Sequence, residues 1–327
     1  MTVADARTEE FEAATAPYRR ELFAHCYRMT GSAGEAEDLV QETYLRAWQA
    51  FGRFEHRSSV RTWMYQIATN AAISALRRSK RRPVPSGLGA PSADPDAPAQ
   101  PTPDGVSWLE PVPDRLVIDE TADPAEVVTA RHGVRLALVA AFQLLPPRQR
   151  AALILCEALD LSAAEAAEAL EVSVPAVKSL LQRARAGVAA AALTDADLAE
   201  PTDEGARRVL DQYLAAFERS DLEAIKRLLT DDAVLEMTGT ASWFSGKATC
   251  QRFIAAQAIG SPGDWVMLPL RANGQLAAAA YHRGAGRTYH AFAIVVLATT
   301  RTRLRRISLF GDPALFARFG LAPTLER

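Results

Sequence analysis

Cysteine is scarce. Cys26, Cys156 and Cys250 lie far apart with no C-x-x-C pair, which argues against a disulfide framework and a cysteine-based zinc site and leaves all three to be read as buried thiols. No apolar run approaches the roughly 18 residues that cross a bilayer. The opening stretch MTVADARTEEFEAAT is acidic where a secretory signal is basic and then apolar. The expected address is therefore the cytoplasm, with no membrane partner. An excess of one charge is also missing: 37 Lys+Arg stand against 39 Asp+Glu, a net charge of -2, so any argument for nucleic acid must rest on local clusters. No spacing suggests a metal or a cofactor, and none is expected.

Proline, by contrast, is concentrated. Residues 83–113, PVPSGLGAPSADPDAPAQPTPDGVSWLEPVP, hold nine of the nineteen prolines, a density that neither a helix nor a central strand survives. We read 83–123 as a linker. A second seam, LTDADLAEPTDEGA (193–206), is acidic and proline-interrupted. The length of 327 residues allows two or three cores, and three folded blocks are expected at 9–82, 124–192 and 204–320.

The first block reads as helices. In GEAEDLVQETYLRAWQAF, Ala36, Leu39, Val40, Tyr44, Ala47, Trp48 and Phe51 recur at spacings of three and four, while Glu35, Asp38 and Glu42 share another side. One face is core and the other acidic. A later helix, SVRTWMYQIATNAAISALRRSKRR, turns Trp63, Met64, Ile67 and Ala71 inward and ends with five basic residues in six positions, Arg77 to Arg82. Such a run is either a solvated helix cap or a phosphate-binding stripe; its length exceeds what a cap needs.

The second block, LPPRQRAALILCEALDLSAAEAAEALEVSVPAVKSLLQRARAGV, reads as a helix from about 148, a second opened by the capping-box pair Ser162 and Glu165, a tight EVS turn, and a third begun by Ser173 with Pro175 in its first turn. Short helix, tight turn and longer helix make a helix-turn-helix. On the last helix Val174, Val177, Leu181 and Ala184 form the inward stripe, leaving Lys178, Ser179, Gln182, Arg183 and Arg185 outside. That face suits a major groove, with the first side chains on base edges and the later arginines on phosphate; a helical hairpin with a basic solvent face is the plainer alternative.

Together these blocks resemble a known family. YRRELFAHCYRMTGSAGEAEDLVQETYLRAW, FEHRSSVRTWMYQIATNAAISALRR, LPPRQRAALIL and VKSLLQRAR are similar, in order, to regions two and four of an extracytoplasmic-function (group 4) sigma factor of bacterial RNA polymerase. RVLDQYLAAFERSDLEAIKRLLTDDAVLEM through SWFSGKATCQRFI to TYHAFAIVVL resembles the SnoaL-like fold related to polyketide cyclases and ketosteroid isomerases, an extension carried by a subset of these factors. WLEPVPD (108–114), NGQ (273–275) and the tail FGLAP (319–323) resemble one branch of that subset.

The resemblance implies a multidomain fold: two all-α sigma domains, a region 2 helical bundle and a region 4 helix-turn-helix, then an α+β cone-shaped domain. It implies that Asp38, Gln41 and Glu42 dock on the β′ clamp helices of core polymerase, with the β flap as a second contact. Trp63, Tyr65 and Asn70, with Arg77 and Arg78, fall where the minus-ten element is melted and a base captured, a task suited to stacking and amide hydrogen bonds. Lys178, Ser179 and Gln182, followed by Arg183 and Arg185, fall where the minus-thirty-five element is read. Ser74 stands where Asp is frequent and Leu180 where Arg is frequent, so the promoter preference of commoner members does not transfer.

For the third block the alternation in TYHAFAIVVL places His290, Phe292, Ile294 and Val296 on one face. A curved sheet closed by helices gives a pocket, and Trp243, Phe244, His290 and Phe292 are its candidate lining for a small apolar ligand. A core histidine bonded to backbone is the preferred reading of His290. His282 and Asp264 are further titratable candidates, but no motif selects a catalytic residue, and an enzyme is not expected. Trp108 is the candidate anchor between linker and domains, through which the third block regulates the first two. A one-component DNA-binding regulator, which would not need the first block, and a cyclase or isomerase with appended DNA-binding helices, which turnover of hydrophobic ketones by the third block would support, are the alternatives.

Overall fold

The computed structural model of the chain describes all residues except 1–2, 56–57, 78–80, 98 and 191–197. It forms two compact units, one of residues 1–82 and 115–193, the other of 83–114 and 194–327.

The first unit is helical. Helices α1 (Val3–Thr15), α2 (Arg19–Thr30), α3 (Ala33–Ala50) and α4 (Val60–Leu76) come first. After the one-turn α5 (Asp114–Val117), where the chain passes between units, follow α6 (Pro124–Val134), α7 (Leu136–Phe142), α8 (Pro147–Leu153), α9 (Ala163–Ala169) and α10 (Val174–Ala190). Their ends are set by side-chain caps: Ser32 Oγ accepts from Glu35 N at 3.3 Å and Ser59 Oγ from Thr62 N at 3.0 Å. Ser162 and Glu165 make the reciprocal capping box. Leu22, Cys26, Leu39, Val40, Met64 and Ala68 are among the side chains buried between α2, α3 and α4.

Two arginines are enclosed where α2 meets α7 and α8. Arg28 donates Nε to Gly133 O at 2.9 Å, and burial pushes its guanidinium down to about 10. Arg150 donates to Met29 O, to Gln143 Oε1 at 2.7 Å, and to Gln143 O and Leu145 O at 3.2 and 3.1 Å. Carbonyls near the ends of α2 and α7, which have no intrahelical partner, thus find donors on a cation favoured by both dipoles.

His25 is fully buried beside Arg28, bonded to Thr69 Oγ1 at 2.9 Å and set edge-on to Tyr65. Burial first, and Arg28 second, push it from 6.5 down to about 3. In that interval the unfolded chain binds a proton that the folded chain refuses. Stability is therefore complete above about pH 6.5 and is lost as pH falls below it, at up to about 1.4 kcal/mol per pH unit. Urea midpoints at pH 7.5 and 5.5 are expected to differ for the wild type, and His25→Gln is expected to reduce the difference; equal differences in both proteins would refute this role.

The second unit packs α11 (Glu204–Glu218), α12 (Leu222–Leu228) and α13 (Lys247–Phe253) against one sheet. Its strands are β1 (Leu229–Thr238), β2 (Trp243–Ser245), β3 (Trp265–Ala272), β4 (Gln275–Arg283), β5 (Thr288–Thr299), β6 (Leu304–Phe310) and β7 (Thr324–Glu326). The order is β2-β1-β6-β5-β4-β3, with β7 added to β5 and only β1–β6 parallel. The one-turn α14 (Leu315–Arg318) sets Phe316 edge-on to Tyr281. Tyr213, Phe217, Phe253, Trp265, Val295 and Ile307 lie in the core that the helices share with the sheet.

The proline-rich segment is part of this second unit. Gln100 donates N to Ser242 Oγ at 2.8 Å, and Ser86 N donates to the buried Glu236 carboxylate at 3.3 Å, which also holds Arg306 and Ser308. WLEPVPD and NGQ meet: Val112 and Asn273 exchange two hydrogen bonds at 2.9 and 3.0 Å, and Gly274 N donates to Asp114 Oδ1 at 2.7 Å. Trp108 itself is only partly buried, whereas Leu109 and Val112 are fully buried.

Candidate nucleic-acid interface

Helix α3 presents Asp38, Gln41 and Glu42 to solvent because its heptad-like apolar stripe takes the opposite side. Glu42 is paired with Arg46 one turn on at 2.5 Å, and Glu35 holds Arg82 at 2.8 Å. The basic run after α4 is thus partly engaged: Arg77 is exposed at the helix end and Arg82 is in an ion pair. Arg78 lies outside the described residues.

On α4 the expected minus-ten residues separate. Trp63 is half-buried and stacked on Phe54, ring centroids 4.6 Å apart. Tyr65 is fully buried, which corrects the expectation that it stands ready for a base. It follows Met64 on a helix whose inward face is wide enough to take both, and the Arg61 guanidinium, clamped on Glu21, lies over its ring at 5.2 Å. Burial, with Glu21 nearby, raises its phenol well above the ordinary range. Asn70 is partly exposed, and its Nδ2 donates to Glu171 Oε1 at 3.2 Å; Gln66, one turn earlier, donates to the same oxygen at 3.1 Å.

Glu171 sits in the turn between α9 and α10 in a left-handed conformation, φ 53°, so the turn of the helix-turn-helix points its carboxylate at α4. Sequence reasoning missed this contact, because nothing local links positions 101 residues apart. On α10, Val177, Leu181 and Ala184 are buried, and Lys178, Ser179, Gln182, Arg183 and Arg185 are exposed. Val174, expected inward, is exposed; it is the first residue of the helix. Arg185 is held by Glu157 at 2.5 Å.

In the second unit the cavity is displaced from its expected lining. Trp243 donates Nε1 to Gly89 O at 3.0 Å, and Phe244 is buried behind Phe253, stacked at 4.4 Å. His290 is exposed, paired with His282 across the strands, and is neither a core histidine nor part of the lining. Of the four candidates Phe292 alone borders the cavity. The cause is a register shift: Tyr281 pairs with Ala291 but Ala280 with Ala293, so Phe292 is an extra residue and the alternation reverses beyond it. Trp265 and His282, edge-on to each other, take the places given to Trp243 and His290.

A helical bundle joined to a helix-turn-helix with an exposed polar and basic reading face defines a DNA-binding transcription factor. Family models of sigma-70 region 2 match residues 16–82, of sigma-70 region 4 residues 135–186, and of a SnoaL-like domain residues 210–308. The chain is 47% identical over 324 residues to the ECF RNA polymerase sigma factor SigG of Mycobacterium tuberculosis, spanning 98% of this chain and 86% of the relative. It is 31% identical over 226 residues to SigJ of the same organism, 68% of this chain and 62% of SigJ. The crystal structure of SigJ covers 95% of this chain and 98% of its own at a TM-score of 0.60 and 23% identity, a likeness of fold. The chain belongs to the ECF RNA polymerase sigma factors, and its C-terminal unit is a SnoaL-like domain. As a sigma factor it binds core RNA polymerase and directs transcription initiation at promoters. Among the described residues no helix is long and apolar enough to cross a membrane.

Proposed function

We propose that the division of labour within this sigma factor follows its exposed faces. Asp38, Gln41 and Glu42 dock on the β′ clamp helices, and the region 4 block meets the β flap. Asn70, Trp63 and Arg77, with Arg78, engage the minus-ten element, and Lys178, Ser179, Gln182, Arg183 and Arg185 the minus-thirty-five element. The observation that carries this reading is α10: its apolar stripe is buried while every one of those five polar residues is exposed. Asn70 reaches the minus-ten element only after leaving Glu171, and Arg185 reaches phosphate only after leaving Glu157. The SnoaL-like unit acts as a regulator in cis that holds a small apolar molecule and not as an enzyme: among the described residues the lining of its cavity supplies no carboxylate, and its one imidazole, His282, is exposed at the mouth.

The test is transcription by core polymerase with the full chain on promoters varied in the minus-thirty-five element. Lys178→Ala or Gln182→Ala is expected to change which sequences are preferred, with about 1–3 kcal/mol lost per base contact. Arg185→Ala is expected to weaken all sequences alike and to lower the salt dependence of binding. If Lys178→Ala weakens every promoter equally, Lys178 positions the backbone and does not read bases.

A further inference from the structure

The second unit encloses a cavity of about 420 Å³, a size at which pockets hold small molecules. Tyr213 and Phe217 of α11, Phe253 of α13, and Trp265, Val295 and Ile307 of the sheet form its walls. No Asp, Glu, Lys or Arg lines it among the described residues; the polar side chains besides Tyr213 are Gln257 and His282, both exposed and therefore at its mouth. Tyr213 is buried, and burial pushes its phenol upward, so it adds no charge. Trp265 is fixed by its indole N–H, which donates to Ala258 O and Ile259 O at 3.0 and 3.2 Å, and offers the cavity only its ring.

The mouth is built from two backbone irregularities. A π-turn, Ile254–Ala258, carries Gln257, and such turns concentrate at functional sites. The bulge in β5 delivers Phe292, a large aromatic that is 46% exposed, against Trp265 at 5.0 Å and 76°. The proline-rich segment adds Ala99 to the lining, next to Gln100, whose backbone is bonded to Ser242 and Ala241.

We infer that this cavity binds a neutral, ring-bearing apolar molecule whose single hydrogen-bonding end meets Gln257 and His282 at the mouth. Neutrality follows from the walls, since a charge placed among them would lose its hydration with no opposite charge in return. A ring follows from Trp265, Phe292 and Phe217, which present edges and faces that a planar apolar body matches with little entropy lost. The inference deepens the ligand part of the function proposed above and does not depend on which residues contact polymerase or DNA.

The probe is N-phenyl-1-naphthylamine, neutral, with two ring systems and one N–H, titrated into the full chain without polymerase. Its fluorescence is expected to rise to saturation at one probe per chain. The anionic analogue 1-anilinonaphthalene-8-sulfonate is expected to bind about tenfold more weakly or worse. Ala280→Phe fills the cavity and is expected to abolish binding. Because Ala280 is buried, a second variant, Phe292→Ser at the exposed mouth, is expected to weaken binding about tenfold with the melting temperature unchanged. Trp243→Phe, outside the lining, is expected to bind as the wild type does. Absence of saturable binding, equal binding of the two dyes, or unchanged binding by a folded Phe292→Ser chain would each overturn the inference. A chain that binds the dye but directs no transcription leaves the cavity standing and removes the interface assignments; the reverse result does the opposite.

Discussion

Replacing Asp38 and Glu42 together by arginine is expected to abolish co-purification with core RNA polymerase and promoter-dependent transcription while leaving the fold intact. Both side chains are exposed on α3, opposite its buried stripe, so neither contributes to the helical core. The pair that is lost, Glu42 to Arg46, is an exposed contact within one helix, worth about 0.3–0.5 kcal/mol. At a protein interface the same carboxylates become desolvated, and losing one such contact costs about 2–5 kcal/mol; reversal of sign adds repulsion. Two reversals therefore weaken docking by several orders of magnitude against a stability change within about 1 kcal/mol. A variant that melts like the wild type and still co-purifies with core enzyme would show that the acidic face of α3 is not the docking surface.

The helical elements were legible in the sequence because each is governed by local chemistry. Ser162 with Glu165, and Ser173 before Val174, mark helix starts through side chains that accept from backbone amides three residues on, and the three-four spacing around Leu39, Val40 and Ala47 marks a buried stripe. The reading face of α10 came from the same periodicity, with an error only at Val174, the exposed first residue of the helix. Periodicity does not say how wide a buried face is. Tyr65, which the resemblance assigned to the minus-ten element and periodicity left unassigned, lies beside Met64 and is buried with it.

What the sequence concealed was non-local or broke its own period. The β5 alternation assigns Phe292 and Ile294 to one side, and it is right until the extra residue at 292 reverses the phase; no residue type announces that shift, which is set by pairing with β4. Trp243 and Phe244 are aromatic and near a glycine, but their fate was decided by Gly89 and Phe253. The buried arginines were equally silent. No sequence pattern singles out Arg28 or Arg150; only the fold brings the carbonyls of Gly133, Met29 and Gln143 onto them.

Asn273 is expected to be the most sensitive single position for the hold of the proline-rich segment on the second unit. It is fully buried in the two-residue turn between β3 and β4, where it and Gly274 have φ of 57° and 65°, the conformation that favours Asn-Gly in tight hairpins. Its Oδ1 accepts from Val112 N at 2.9 Å and its own N donates to Val112 O. Asn273→Ala leaves the buried Val112 N–H without that acceptor, at about 1–3 kcal/mol, and puts an alanine in the left-handed region, at about 1–2 kcal/mol more. Asn273→Gly keeps the backbone conformation and loses only the side-chain bond. Denaturation is thus expected to rank wild type above Gly above Ala, while limited proteolysis is expected to cut within 83–114 faster in both variants, since both remove the side-chain acceptor of Val112 N and leave one of the two bonds that hold it. If the SnoaL-like domain regulates in cis through this segment, both variants also change transcription by the full chain with core polymerase in excess, and by similar amounts despite their different stabilities. Proteolysis at the wild-type rate in both would show that the Val112–Asn273 contact does not hold the segment. Faster proteolysis with wild-type transcription would show that the segment is held there but transmits nothing.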